Sequence, residues 1–200
     1  MANTSDKAYG LTILSPILGG VSADGVPHDR AIRRELIALG ADGESPFAQV
    51  PTTHFARCVV IDTLPYEGIP AKVDQLKNKY LLFTSNFDGE LDDYLELVRT
   101  RMGDAVARIW SHCHAFPGVR DRAPFASYMR RCQVETSFFF GAYTKHTLVE
   151  VLRALDTQRR MAQFVAEQQG ARRAPAALQQ AFRELVGELA GAALPRPGTI

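Results

Sequence analysis

The sequence is poor in cysteine and in net charge, and it contains no long apolar run. Its three cysteines share no Cys-x-x-Cys spacing, which argues against a disulfide framework or a zinc knuckle. A formal net charge of +1 gives no global field that would attract nucleic acid or anionic lipid. No apolar stretch approaches the roughly 20 residues needed to span a bilayer, and the N-terminus lacks the build of a signal peptide. These absences predict a cytoplasmic protein without a membrane or nucleic-acid partner.

What is present is an ordinary globular composition. The chain has 200 residues, of which 46% are hydrophobic and 22% charged, which suits one domain with a sizeable core. Short β-rich segments alternate with helical spacing, so we expect an α+β fold. The predicted strands are 9–17, 53–62, 79–87 and 105–113, and the predicted helices follow Pro27 and Asp88. This order predicts a ferredoxin-like βαββαβ core, with an antiparallel sheet of order 4-1-3-2 and both helices on one face.

The remainder of the chain is expected to extend this core. We predict a core over residues 1–120 and an extension over 121–200 that packs on the same domain. The extension is predicted to contain a helix at 125–132, a short strand at 137–142 and two amphipathic helices. Because the core leaves one sheet face without helices, something must cover that face. Either the extension folds over it, or a second subunit does, which would give a dimeric α/β barrel with a cavity.

Several polar residues are predicted to meet at one end of this sheet. In the predicted topology, the second strand starts at the end where the third and fourth strands finish. That end is expected to gather His54, Ser85, Asn86, Asp88, His112 and His114. Arg57, in the middle of the second strand, is expected either to bind an anionic group or to pair with a nearby carboxylate.

The predicted fourth strand carries a polar and aromatic stripe. Alternation along a strand would place four of its side chains on the open face, where they would line a cavity or a subunit contact. These side chains are Arg108, Trp110, His112 and His114.

Three interpretations of the histidines stay open. The His112-x-His114 pair binds a metal with His54 or Asp88, or one histidine acts as a haem ligand or an acid/base group, or they only bond to backbone at strand ends. Asp88 has its own alternatives, a catalytic acid or a helix N-cap. Cys113 would need a bulge to work as a nucleophile beside His112. No metal ligand set is predicted.

Three segments carry a resemblance: THFARCVVID, YLLFTSNFDG and ARIWSHCHAFPG. Together with the tail FFFGAYTKHTLVEVLRALDTQRR, they resemble a family of uncharacterised bacterial ferredoxin-like domains over about residues 10–160. At fold level the chain is similar to the dimeric α/β-barrel superfamily. That superfamily includes chlorite dismutase, dye-decolourising peroxidases, antibiotic biosynthesis monooxygenases and cofactor-free isomerases and cyclases. The resemblance implies a homodimer and adds haem to the cofactors to be tested. Ser85 stands where the peroxidase haem motif has its first glycine, so no catalytic Asp is transferred.

We therefore expect a small-molecule enzyme or binding protein with a cavity on the open sheet face, either an oxidoreductase or a cofactor-free isomerase or cyclase. The expected partners are a small-molecule ligand and a second copy of the chain. The alternative is a non-catalytic interaction or oligomerisation module. The predicted catalytic residues are His112, His54 and Arg108. The predicted ligand-binding residues are Trp110, His114, Arg57, Asn86 and Asp88.

Overall fold

The chain divides into two compact units, Met1–Thr147 and Leu148–Ile200. The structure, a computed structural model, describes residues 3–41, 43, 45–64, 68–69, 75–171 and 174–198. Each unit is described by itself below.

The first unit contains the sheet and four of the α-helices. Its strands are β1 Thr4–Ser5, β2 Ala8–Pro16, β3 Thr53–Thr63 and β4 Gln75–Asp88. Its helices are α1 His28–Ala41, α2 Leu91–Arg101, α3 Gly103–Trp110 and α4 Arg122–Arg131, and a 3-10 helix covers Pro46–Gln49. The second unit contains α5 Leu148–Ala171 and α6 Pro175–Gly191.

The four strands form one antiparallel sheet in the order β1-β2-β4-β3. Along β2, Ala8 lies opposite Asp88 and Pro16 lies opposite Tyr80. The predicted α+β class is confirmed. The strands predicted at 9–17, 53–62 and 79–87 are present as β2, β3 and β4, and β4 lies between the other two.

The two faces of β4 have different surroundings. Leu81, Phe83 and Phe87 are at most 3% exposed, whereas the intervening Leu82 and Thr84 are only half-buried. Side chains alternate between the faces of a strand, so each face is a separate environment. One face therefore belongs to the core and the other stays open.

Helices cover the core face through aromatic contacts. Phe87 stacks on Tyr94 of α2, with ring centroids 3.7 Å apart, and Phe83 meets the edge of Trp110 of α3 at 5.7 Å. Trp110 Nε1 donates a hydrogen bond to Ser15 Oγ at 3.2 Å. Helices α1 and α4 add buried side chains to the same cluster. Both α2 and α3 thus pack on the side of the sheet that carries the core.

The predicted fourth strand at 105–113 is wrong, because Gly103–Trp110 forms α3. The buried side chains of α3 are Ala105, Val106, Ile109 and Trp110. Their spacing of one, three and one residues is the pattern of a helix face. Asp104, in the first turn, is also favourable near the positive end of the helix dipole.

Short segments cover the edge of β2 where the fourth strand was expected. β1 pairs with the start of β2, and isolated bridges join Ile13 to Gln133 and Ile17 to Cys113. The short strand predicted at 137–142 is also wrong, since the described backbone there has no regular structure. The helix predicted at 125–132 is present as α4.

The second unit is a pair of helices, as predicted for the end of the chain. The rings of Phe164 in α5 and Phe182 in α6 lie 6.1 Å apart. Leu178, Phe182 and Val186 of α6 remain 40–47% exposed. No helix among the described residues is both long and apolar enough to cross a bilayer. The cytoplasmic location stays a prediction.

The helical assignment of Gly103–Trp110 makes a prediction about stability. Trp110→Ala should cost about 3–5 kcal/mol of unfolding free energy, because it empties a core site. Arg108→Ala should cost less than about 1 kcal/mol, because the side chain is 53% exposed and loses one surface ion pair. Urea unfolding followed by circular dichroism measures both, and Trp110→Phe should fall between them. Equal losses for Trp110→Ala and Arg108→Ala would contradict the helix.

Candidate functional site

A cavity of about 310 Å³ opens on the face of the sheet that faces away from the helices. Its floor contains one residue from each of three strands, Ala8 of β2, Phe55 of β3 and Asn86 of β4. Its wall is the irregular segment 139–144, and His54 lies at its border. The site is therefore built on the sheet and bordered by a loop.

A β-bulge places His54 at this cavity. Thr53 pairs with Phe87, but the next pair along β3 joins Phe55 to Asn86, so His54 is an extra residue in the ladder. Bulges re-aim side chains and are common next to active sites. The Nε2 atom of His54 lies 2.8 Å from Oδ1 of Asp88 at the end of β4.

The His54–Asp88 pair fixes one imidazole tautomer. A carboxylate only accepts hydrogen bonds, so Nε2 of His54 is the donor, and in the neutral ring Nδ1 carries the lone pair. The two side chains are 19% and 10% exposed, which strengthens their interaction relative to a surface pair. A histidine oriented in this way by a carboxylate has the arrangement of a general base.

The predicted meeting of His54, Asn86 and Asp88 at one sheet end is confirmed. The helix N-cap alternative for Asp88 is wrong, because α2 begins at Leu91 and its N-cap is Glu90. Asp88 is instead the last residue of β4 and bonds to His54. Ser85 faces the core, where its hydroxyl bonds to the hydroxyl of Tyr94 at 2.7 Å.

An aromatic segment forms the wall of the cavity. The ring of Phe139 lies over Gly10 of β2, because a Cβ atom built on Gly10 would come within 3.0 Å of that ring. Nearby, Phe55, Phe140 and Tyr143 are 74–76% exposed. The sequence analysis missed these wall residues because it assigned them to a strand. The run of three phenylalanines from 138 to 140 was the available signal.

His112 and His114 lie at the other end of the sheet, which contradicts their predicted place. The backbone N–H of Leu18 donates to the carbonyl of His112, and the N–H of His114 donates to the carbonyl of Pro16. Both histidines thus lie beside the end of β2, while the cavity lies beside its start. Eight residue steps at about 3.3 Å each put roughly 26 Å between these ends. The cause is that Gly103–Trp110 forms a helix instead of a strand that would run back toward the cavity end.

His112 forms a pair with a histidine that the sequence analysis overlooked. Its Nδ1 atom lies 2.9 Å from Nδ1 of His28, the first residue of α1. Burial lowers the pKa of His112 from its ordinary value, and the nearby charge of His28 lowers it further. At neutral pH the His112 ring is therefore uncharged and holds a lone pair.

Strand alternation predicted Trp110 and Arg108 on the open face, and this prediction is wrong. Trp110 is 3% exposed inside the core. Arg108 points from α3 to Glu35 of α1, with Nε 3.0 Å from Oε2. In a helix of 3.6 residues per turn, residues two apart lie on different faces. Neither side chain contacts the cavity beside His54.

Arg57 is exposed on β3 and borders a different cavity, of about 380 Å³, beside Phe47. In the described part of the chain no carboxylate pairs with it. The alternative that Arg57 binds an anionic group stays a prediction.

The cysteines are free thiols, and two of them are poorly suited to nucleophilic chemistry. Burial raises the pKa of Cys58 and of Cys113 to about 12. Because the thiolate is the reactive form, both stay protonated near neutral pH. The Cys113 nucleophile alternative is therefore not supported.

Haem and a metal shared with His54 fit this site poorly. Among the described residues, no three His, Cys, Asp or Glu side chains come close enough to hold one ion. Nε2 of His54 is bonded to Asp88, and a cavity of about 310 Å³ is at the small end of ligand sites. These residues do not fit a haem.

Comparison with known proteins gives no family assignment. No protein-family model matches the chain, and neither the curated proteins nor the solved structures give a match. The suspected ferredoxin-like family therefore stays a prediction, and the site itself has to carry the functional argument.

Proposed function

We propose that this protein binds a small, neutral, planar molecule in the cavity on the open sheet face and exchanges a proton with it through His54. The observation that carries the proposal is the bulge at His54, which holds the imidazole on Asp88 at the border of an aromatic cavity. A bulge disrupts the hydrogen-bond ladder locally, and it is not needed for strand pairing. The bulge and the shielded His–Asp pair therefore indicate a functional role for the imidazole ring.

The lining of the cavity indicates the chemistry of the ligand. Phenylalanine and tyrosine rings favour stacking with another planar ring. The side-chain amide of Asn86 adds one polar group that can both donate and accept. No lysine or arginine belongs to the described lining, so an anionic group would lose hydration without a counter-charge. The favoured ligand is a neutral ring system that carries a hydroxyl or an N–H donor.

The His54–Asp88 pair supports proton transfer. Nδ1 accepts a proton from the ligand, and Asp88 stabilises the imidazolium that forms. General acid–base catalysis of this kind contributes about 10²–10⁴ in rate. Isomerisation and cyclisation proceed through such proton shifts. A cofactor-free isomerase or cyclase is therefore the enzyme class that we favour for this site over an oxidoreductase.

A fluorescent probe tests the proposal. The probe 2-naphthol is neutral near pH 7 and releases a proton to a nearby base on excitation, so its emission reports both burial and the acceptor. We expect saturable binding with enhanced naphtholate emission. His54→Ala should weaken binding about three- to tenfold, the effect of one lost hydrogen bond, and abolish the enhancement. Gly10→Val should weaken binding because it displaces Phe139.

Two matched variants serve as controls. His114→Ala removes an exposed histidine at the other end of β2, and a side chain added at Gly19 meets no atom within 4 Å. His114→Ala and Gly19→Ala should bind the probe like the unmodified protein. The proposal is contradicted if binding does not saturate, or if His54→Ala and Gly10→Val bind the probe as tightly as the unmodified protein.

A second candidate function is supported by the exposed rings beside the cavity. Phe138 is 83% exposed, and Phe55, Phe140 and Tyr143 are 74–76% exposed. Phe55, Phe140 and Tyr143 line the same cavity, and an exposed apolar patch marks an interaction site. We propose that a second copy of the chain covers the open face and closes the cavity, as in a ferredoxin-like dimeric α/β barrel. The order β2-β4-β3 and the burial of side chains from α1 and α2 in one core support this relationship.

Light scattering tests the dimer. We expect a species of twice the 22.1 kDa chain mass at about 50 µM protein, because burial of the aromatic rings drives association. Phe138→Ser with Phe140→Ser should give the monomer. Ile37→Ser is the matched control, because Ile37 is 74% exposed on α1 and away from the sheet face. A monomer for the unmodified chain, or a dimer that survives both phenylalanine changes, would rule this candidate out.

A further inference from the structure

The rings of His28 and His112 form a hydrogen bond between two different elements, away from the cavity beside His54. Their Nδ1 atoms lie 2.9 Å apart, and the ring centroids lie 5.1 Å apart with the planes tilted by 57°. A neutral imidazole has one N–H and one lone pair, so one Nδ1 donates and the other accepts. His28 is the first residue of α1, and His112 lies in the turn that follows α3. The pair therefore links the start of α1 to that turn.

The two sides of this link are held unequally. The turn 111–114 is tied to β2, because the N–H of Leu18 donates to the carbonyl of His112 and the N–H of His114 donates to the carbonyl of Pro16. The segment 19–27, which leads into α1, is mostly exposed, and the N–H of Ser22 donates within it to the carbonyl of Val26. Loss of the imidazole bond would therefore free the segment before α1 more readily than the turn.

The hydrogen bond tolerates one added proton but not two. With one added proton, one ring is an imidazolium whose Nδ1–H donates to the lone pair of the other ring, and a charged donor strengthens a hydrogen bond. With two added protons, both Nδ1 atoms carry hydrogen and no acceptor is left between them. Two positive charges then lie side by side, with ring centroids 5.1 Å apart. The contact is therefore stable at neutral pH and lost when both rings are protonated.

We propose that His28 and His112 form an acid-opened latch, which holds the segment 19–27 against the turn 111–114 at neutral pH and releases it when both rings carry a proton. The segment and the turn border a cavity of about 540 Å³, which Gly19, Gly20 and Pro27 line together with His114. Release of the segment opens that cavity to solvent. The latch is thus a pH-sensitive device that acts at the end of the sheet opposite to His54.

The surroundings of His112 place the second protonation on the acid side of the ordinary histidine range. Burial lowers the pKa of His112, and the charges of His28 and Arg34 lower it further, against the opposite effect of Glu35 and Asp24. A histidine whose pKa is lowered by folding binds fewer protons in the folded state than in the unfolded state. Its contribution to stability is therefore present above about pH 6.5 and is lost as the pH falls below that value.

Two ion pairs keep the opening local. Arg108 of α3 binds Glu35 of α1, with Nε 3.0 Å from Oε2, and Lys79 of β4 binds Asp29 of α1, with Nζ 2.7 Å from Oδ2. Both pairs hold α1 to the rest of the unit when the imidazole bond is lost. The exposed His114 is the other ionisable side chain of the turn that is close in sequence to His112. We therefore expect the movement to involve the side chain of His28 and the segment before it.

Nuclear magnetic resonance of the full-length protein between pH 8 and pH 5 tests the latch. The imidazole ¹⁵N signals of His28 and His112 should titrate in two separate steps, because the two sites interact. Along the lower step, the hydrogen-exchange protection factor of the Ser22 amide, corrected for the intrinsic pH dependence, should fall at least tenfold. His114→Ala is the matched control, and it should leave both steps and the Ser22 protection unchanged.

Two substitutions of His28 separate the latch from general acid effects. His28→Asn keeps a donor and an acceptor that take no proton, so the Ser22 amide should stay protected at pH 5. His28→Ala removes the bond, so protection should already be low at pH 7.5. The proposal is overturned if Ser22 protection is the same at pH 7.5 and pH 5, if it falls equally in His28→Asn, or if His28→Ala protects Ser22 like the unmodified protein. Binding of 2-naphthol by His54→Ala bears only on the other cavity, so the two proposals fail separately.

Discussion

Strand β4 pairs on both edges, the helices of the first unit cover one of its faces, and this constraint organises that unit. Side chains alternate between its faces, so Phe83 and Phe87 take the core while Thr84 and Asn86 take the open side. The aromatic contacts of Phe83 and Phe87 with α2 and α3 hold the helices to one side. The other side carries both polar and apolar side chains, among them Thr84 and Leu82, and the ring of Phe139 lies over Gly10 there. The cavity lies on the face of β4 that does not pack against α2 and α3.

The bulge converts that open face into a site with chemistry. In a regular ladder, side chains alternate between the two faces of the sheet, and this alternation would set the direction of the His54 side chain. The extra residue between Thr53 and Phe55 uncouples it from the ladder and allows Nε2 to reach Asp88. Asp88 can serve in this way because β4 continues to that residue and α2 begins only at Leu91. Local backbone irregularity on β3 and strand length on β4 together produce the pair.

The sequence predicted the three long strands of the sheet and only part of the candidate site. The strands around residues 9–17, 53–62 and 79–87 have a strong β composition, and their topology correctly placed His54 near Asp88. The segment AVARIW is apolar at every position except Arg108, so it fits a short buried strand as well as the buried face of a helix. The strand assignment misplaced Arg108, Trp110, His112 and His114. His28 lies 84 residues from His112, and only tertiary structure brings such partners together. A bulge also has no sequence signature of its own.

The most direct test of the account is the ring proton of His54. A hydrogen bond from Nε2 to Asp88 in a largely buried pair should protect that proton from exchange. We expect a downfield proton resonance, assigned by its loss in His54→Ala, that also disappears in Asp88→Ala while the backbone spectrum stays folded. A resonance that persists in Asp88→Ala, or a His54 ring proton that is never protected in the unmodified protein, would contradict the central claim.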